Sequence, residues 1–273
     1  MMWIWFAGIL TLCSVIAPVP SLAQDLPIFD AHIHYSQADW AVYSPGAVLG
    51  ILDAAGIRWA LVSSTPDDGT LRLYEKAPTR IVPFLRPYRT QGDMATWTGD
   101  PSVLSHVEAR LKRGIYKGIG EFHLPAGQTG SAVVHGFVRI ALRDKLILHA
   151  HADEIALEEL ARLDPKVRLL WAHAGMSSGP DVVGRLLDRY PNLSVELALR
   201  SEVAPGGRLD PAWRALFLRH PDRFMVGTDT WVTSQWGRLP DIHIGIRAWL
   251  KQLPPDVAER IAFKNAARLV GMP

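Results

Sequence analysis

The feature that most constrains this chain is a strict alternation of short apolar runs with segments of helical spacing. The runs Ile28–Ile33, Trp59–Ser63, Ile81–Leu85, Ile115–Phe122, Lys145–Ala150, Val167–Ala172, Leu193–Leu197 and Phe224–Gly227 read as strands. Between them, Pro45–Ala55, Val103–Arg113, Val133–Asp144, Ile155–Leu163, Val182–Tyr190 and Pro211–Arg219 carry helical periodicity. Alternation of this kind demands a parallel sheet, because each crossover needs its own helix. About eight repeats in a chain of this length predict a single-domain α/β fold, a (β/α)8 TIM barrel, over an open doubly wound sheet. No repeat, low-complexity tract or linker divides the chain. The stretches Thr65–Pro78, Thr90–Pro101 and Trp231–Trp236 read as irregular segments, the latter two as loops over the strand ends, and Pro254–Val270 as a closing pair of helices.

The first 23 residues, Met1–Ala23, carry no charge, and their apolar run ends at Pro18 and Pro20. Small residues at Ser21 and Ala23 suit cleavage before Gln24, so residues 1–23 are expected to be a signal peptide and 24–273 the mature barrel. No Lys or Arg precedes the run, and the competing reading is an uncleaved N-terminal anchor. The run falls short of the about 20 residues a membrane span needs, so no stable membrane insertion is expected after cleavage. The expected location is outside the cytoplasm, in the periplasm. Cys13, the only cysteine, lies in this leader. A mature chain without it has no disulfide and no thiolate ligand, and any transition metal is held by histidine and carboxylate. The net charge of +2, with no basic block or stripe, argues against a nucleic-acid partner and leaves a small-molecule substrate. Association into homo-oligomers is compatible with the composition.

The first strand ends in Phe29-Asp30-Ala31-His32-Ile33-His34. Residues two apart on a strand share a face, so His32 and His34 project together. Glu121, His149, His173 and Asp229 each close a later strand, at the barrel end where such folds place their chemistry. The set gathers imidazoles and carboxylates with no evident Lys or Arg partner from the same positions, and a divalent cation resolves that conflict.

Together, HIH at 32–34, GIGEF at 118–122, LHAH at 148–151, WAHAG at 171–175 and GTD at 227–229 resemble the amidohydrolase superfamily. The nearest likeness is to its amidohydrolase-related (amidohydrolase-2) branch, with a TatD-like GIGEF segment. The segment Ile261–Leu269, ending Asn-Ala-Ala-Arg-Leu, resembles that branch's C-terminal helix. The resemblance implies a metal-dependent hydrolase holding one or two divalent ions. Zinc is the expected metal, with Mn, Fe or Co as alternatives. It implies His32, His34 and Asp229 on one ion, His149 and His173 completing the site or holding a second, and Glu121 bridging. The carbamylated lysine of other members is unmatched, since Lys117 lies too early in its strand.

Asp229 is then the expected general base, with His151 as a second catalytic candidate. Arg86, His123, Arg200 and Trp231 are candidates for substrate binding. For Arg86 and Arg200, a rim position or a pairing with Asp or Glu is the competing structural reading. The expected reaction is cleavage of an ester, lactone, amide or related bond. Alternatives are a non-oxidative decarboxylase on a mononuclear site, a TatD-like phosphodiesterase, and a barrel that binds a ligand without turnover.

Overall fold

The computed structural model describes Met1 and residues 26–272, so the expected signal segment, Met1 apart, lies outside the described residues. No helix among the described residues is long and apolar enough to cross a membrane. Eight strands form one sheet: β1 Ile28–Ile33, β2 Ile57–Val62, β3 Ile81–Leu85, β4 Gly118–His123, β5 Ile147–His151, β6 Arg168–Trp171, β7 Leu193–Glu196 and β8 Phe224–Met225. Each pairs in parallel with the next in chain order. The sheet curls so that β1 meets β8. The seam is thin. Ala31 N–H donates to the Val226 carbonyl at 2.9 Å, and Asp229 N–H donates to the His32 carbonyl at 2.7 Å. Side chains reinforce it: Thr228 N–H donates to Asp30 at 3.1 Å, and His34 N–H to Thr230 Oγ1 at 2.9 Å.

Helices α1 Pro45–Ala54, α2 Asp68–Lys76, α3 Ser102–Leu111, α4 Ala132–Asp144, α5 Glu154–Leu163, α6 Pro180–Arg189, α7 Pro211–Arg219 and α8 Leu239–Leu250 follow the eight strands in turn. Their starts are written locally. Ser44, Ser131, Asp153 and Asp210 accept from backbone N–H groups at the beginnings of α1, α4, α5 and α7, each such cap contributing about 1 kcal/mol. The stretch read as irregular between Thr65 and Pro78 contains α2. Its four buried residues include Gly69 and Thr70, so apolar spacing gave a weak signal there. The Thr90–Pro101 loop carries two 3₁₀ turns, and Thr233–Arg238 forms another.

Two apolar layers result. Between sheet and helices lies the larger one, including Ile33, Val62, Leu85, Trp97, Phe122, Phe137, Leu148, Trp171 and Phe217. Inside the barrel, alternate residues such as Phe29 and Ala31, Val82 and Phe84 pack with Leu61, Ile147, Leu170 and Met225. The chain's end closes this inner layer. After α9 Pro255–Glu259 and a π-helical turn at Arg260–Lys264, α10 Asn265–Val270 seats Ala266, Ala267 and Val270 against it. Phe263 stacks on Trp59 at 4.6 Å. One end of the barrel is thus filled with hydrocarbon, and the polar side chains collect at the other.

Candidate active site

His32, His34 and Asp229 meet at the seam between the first and last strands, and each offers a ligand atom within 4.8 Å of the others. The three imidazoles nearest the centre are held from behind. His32 Nδ1 lies 2.9 Å from Glu196 Oε1, His34 Nδ1 lies on the Ser63 carbonyl, and His173 Nδ1 lies 3.1 Å from the Ala198 carbonyl. A carbonyl or carboxylate accepts only, so each Nδ1 carries the proton and each Nε2 presents a lone pair inward. His32 Nε2 and His34 Nε2 are 3.1 Å apart. Asp229 Oδ1 is 3.2 Å from His34 Nε2 and 3.7 Å from His32 Nε2. Glu121 Oε2 is 3.2 Å from His34 Nε2, and Glu121 Oε1 is 3.4 Å from His173 Nε2.

Lone pairs and carboxylates packed at this spacing repel one another unless a cation lies among them. Ligand bonds of about 2.0–2.1 Å in tetrahedral arrangement put donors about 3.3–3.4 Å apart, close to the separations seen. His173 Nε2 and Asp229 Oδ1 are buried with no hydrogen-bond partner, as are both ring nitrogens of His149. The residues present therefore fit a divalent cation. Without one, protons relieve the crowding. Burial lowers the His32 pKa, but Asp229, Glu196 and Glu121 outweigh it and raise it well above the ordinary histidine value. Burial opposes charge on Glu121 too, yet the charge of His32 and the hydrogen bond from His151 hold its carboxyl well below the usual range. Asp229 is lowered in the same way, by His32 and His34 against burial.

Backbone conformation aims these groups. Asp229 (φ 58°) and His173 (φ 55°) both adopt the left-handed region that side chains rarely enter, and such strain clusters at functional sites. Gly120 (φ 130°) brings β4 so close to β5 that a Cβ there would sit 2.2 Å from the His149 carbonyl oxygen, leaving Glu121 room to face the centre.

The remaining candidates separate. His149 is fully buried, with its ring edge-on to Phe84 and to His32 and its Nε2 3.9 Å from Glu196 Oε1. Burial pushes its pKa down to about 4, so it is neutral. His151, two residues on, brings Nδ1 to 2.9 Å from Glu121 Oε1 and stacks on His123 at 4.3 Å. His123 is held by Tyr88, whose hydroxyl lies 3.3 Å from its Nδ1, and burial brings its pKa to about 4. Trp231 is 64% exposed beyond Asp229, whereas Trp236 is buried against Tyr35.

Of the two readings given for Arg86, the geometry shows the pairing with a carboxylate, at Glu121. Arg86 donates to Glu121 Oε2 at 2.9 Å and to its carbonyl at 3.2 Å. Arg200 is committed elsewhere. It donates at 2.7 Å to the carbonyls of His173, Ala174 and Ser178, and Nε meets Glu202. Arg200 thus braces the loop carrying His173. Arg200→Leu is expected to destabilise the fold by about 1–3 kcal/mol, because buried carbonyls lose their donors. Urea denaturation of the metal-free protein checks this, since an arginine serving substrate alone would leave the midpoint unchanged.

Sequence reasoning missed two members of this site. Ser63 holds His34 through its carbonyl and receives the Glu121 N–H on Oγ at 3.2 Å. Glu196 is a fully buried carboxylate in Leu193-Ser194-Val195-Glu196. An acidic residue inside an apolar strand was the available signal, since such groups are rarely buried unpaired.

The chain belongs to the amidohydrolase family, whose model matches residues 126–272, and the family makes it a metal-dependent hydrolase. The match begins after Glu121, so the first histidine pair and the GIGEF segment lie outside it. Among solved structures, a probable 2-pyrone-4,6-dicarboxylic acid hydrolase from Acinetobacter baumannii superposes with a TM-score of 0.64 at 16% identity, over 90% of this chain and 99% of that one. A TatD homolog from Escherichia coli gives 0.60 at 14% identity, over 90% and 98%. N-acetyl-D-glucosamine-6-phosphate deacetylase from Mycobacterium smegmatis gives 0.54 at 17% identity, over 90% and 76%. At these identities the likeness is one of fold. No relative is found among curated proteins.

Proposed function

We propose that this enzyme cleaves an ester, lactone, amide or related bond of a small molecule, with Asp229 as general base. The observation that carries this is the Asp229 carboxylate: buried, held ionised, and with Oδ1 unpartnered beside His34 Nε2. His32, His34 and Asp229 would hold a divalent ion, which we propose is zinc, with His173, Glu121 and neutral His149 as further donors. Such an ion supplies a Lewis acid that activates water near neutral pH and polarises a carbonyl oxygen. Asp229 takes the proton of the attacking water. His151, anchored to Glu121 through Nδ1 and part-exposed, keeps the Nε2 lone pair free to receive that proton from Asp229 and relay it to the leaving group. The pyrone dicarboxylate hydrolase among the structural neighbours is consistent with a lactone or ester substrate.

The Arg86–Glu121 pair favours a second reading. A glutamate already neutralised by arginine is a weaker bridge, and a one-ion site keeps the non-oxidative decarboxylase open. Metal content per chain in wild type and Glu121→Ala, with turnover of ester, lactone and amide panels before and after chelation, tests both. Bound metal with chelator-sensitive hydrolysis supports the proposal. One ion in both proteins, with carbon dioxide release from carboxylated substrates and no hydrolysis, favours the decarboxylase. No ion and no rescue by zinc or manganese overturns the metal site.

A further inference from the structure

Glu196 lies at the end of β7 with no exposure, yet it is wired to three parts of the site. Its Oε1 accepts from His32 Nδ1 at 2.9 Å and from the His173 backbone N–H at 2.6 Å. Its Oε2 accepts from the Ala198 N–H at 2.7 Å. Glu196, His32 and His173 sit close enough together to suggest a metal trio of their own. The bonding excludes that reading: Glu196 faces His32 Nδ1, while His32 Nε2 is the nitrogen turned toward His34. The carboxylate therefore stands behind the ligands and not among them.

We propose that Glu196 is a positioning residue that fixes the Nδ1–H form and ring orientation of His32 and, with the same oxygen, docks the backbone of His173. This rests on the metal-site reading above. Three converging donors require an acceptor on both oxygens. Glutamine offers one carbonyl oxygen and turns an NH2 toward either the Ala198 N–H or the His32 and His173 donors, so it cannot satisfy all three. The chain also makes room for the carboxylate. A Cβ at Gly227 would lie 2.5 Å from Glu196 Oε2 and 3.1 Å from His32 Cβ. Gly227→Ala thus displaces the same carboxylate without altering its chemistry.

The test is a zinc titration against a chromophoric chelator for wild type, Glu196→Gln and Gly227→Ala, with thermal melts of the metal-free proteins and ¹H–¹⁵N spectra of the His32 ring. Both variants are expected to bind zinc about 10–100-fold more weakly while still melting cooperatively. The metal-free wild type is expected to show a slowly exchanging His32 Nδ1–H that both variants lose. Unchanged zinc affinity in folded variants overturns the proposal. Should neither variant fold, the wild-type spectrum decides: a protected Nδ1–H on His32 supports it, and a His32 without a proton on Nδ1 overturns it. A wild type that binds no zinc refutes the metal reading instead, and the same resonance then decides Glu196 alone.

Discussion

Asp229→Asn is expected to lower kcat by about 10²–10⁴-fold, the usual contribution of a positioned base, while the protein still takes up metal. Asparagine keeps an oxygen donor at the same place but cannot accept a proton from water at neutral pH. The carboxylate sits in a left-handed backbone conformation, tied by its own N–H to the His32 carbonyl, so the substitution changes chemistry with little change of geometry. Metal content by elemental analysis and single-turnover kinetics on the same preparation separate the two roles. Retained metal with lost turnover identifies the base. Equal loss of both makes Asp229 a ligand only, and retained turnover removes it from the mechanism.

The second large effect concerns Arg86. Arg86 and Glu121 are 5% and 2% exposed, and Glu121 Oε2 also faces His34 and His32. Removing one partner of a buried ion pair leaves an uncompensated charge, at a cost of about 3–5 kcal/mol. Arg86→Met is expected to destabilise the metal-free protein by that amount, since methionine fills the space without neutralising Glu121. Added zinc is expected to recover part of the loss, because a ligand bound only by the folded state stabilises it and here brings the missing positive charge. Urea denaturation with and without zinc reads both effects. An arginine whose business is the substrate would give the opposite pattern: unchanged stability and a raised KM.

The barrel was legible because its strands are short, apolar and evenly separated. β1 and β3 fall where the alternation of apolar runs puts them, and β4 and β5 begin two or three residues later than expected, within the ordinary fraying of element ends. α2 was obscured because its buried side includes Gly69 and Thr70. At the site, His32, His34, Glu121, His173 and Asp229 were readable from strand ends, and the structure brings them together. Strand periodicity places His149 and His151 on one face but cannot rank their depth. That is set by how β5 registers with β4, where His149 pairs with Gly120 and His151 with His123. Glu196 was harder still, since its partner His32 lies 164 residues away and no local pattern announces a hydrogen bond made across the barrel. Arg86 was readable as a strand-end arginine that pairs with a carboxylate or a substrate, but not which carboxylate, 35 residues on, it meets.

The thin seam has a bearing on when this protein becomes competent. His32 lies in the first strand, His34 just after it and Asp229 in the segment after the last, and only a few hydrogen bonds join those two edges. During synthesis nearly 200 residues separate the two halves of the ligand set. A partly made chain holds a histidine pair with nothing opposite it, and a cation it captured would be held weakly. On the metal site proposed above, a cation held by His32, His34 and Asp229 would span that joint once the final strand arrives. Loading would then be coupled to completion: with the ligand set proposed above, the finished barrel would be the first species able to keep a metal, and that metal would act as the clasp that keeps the ring shut.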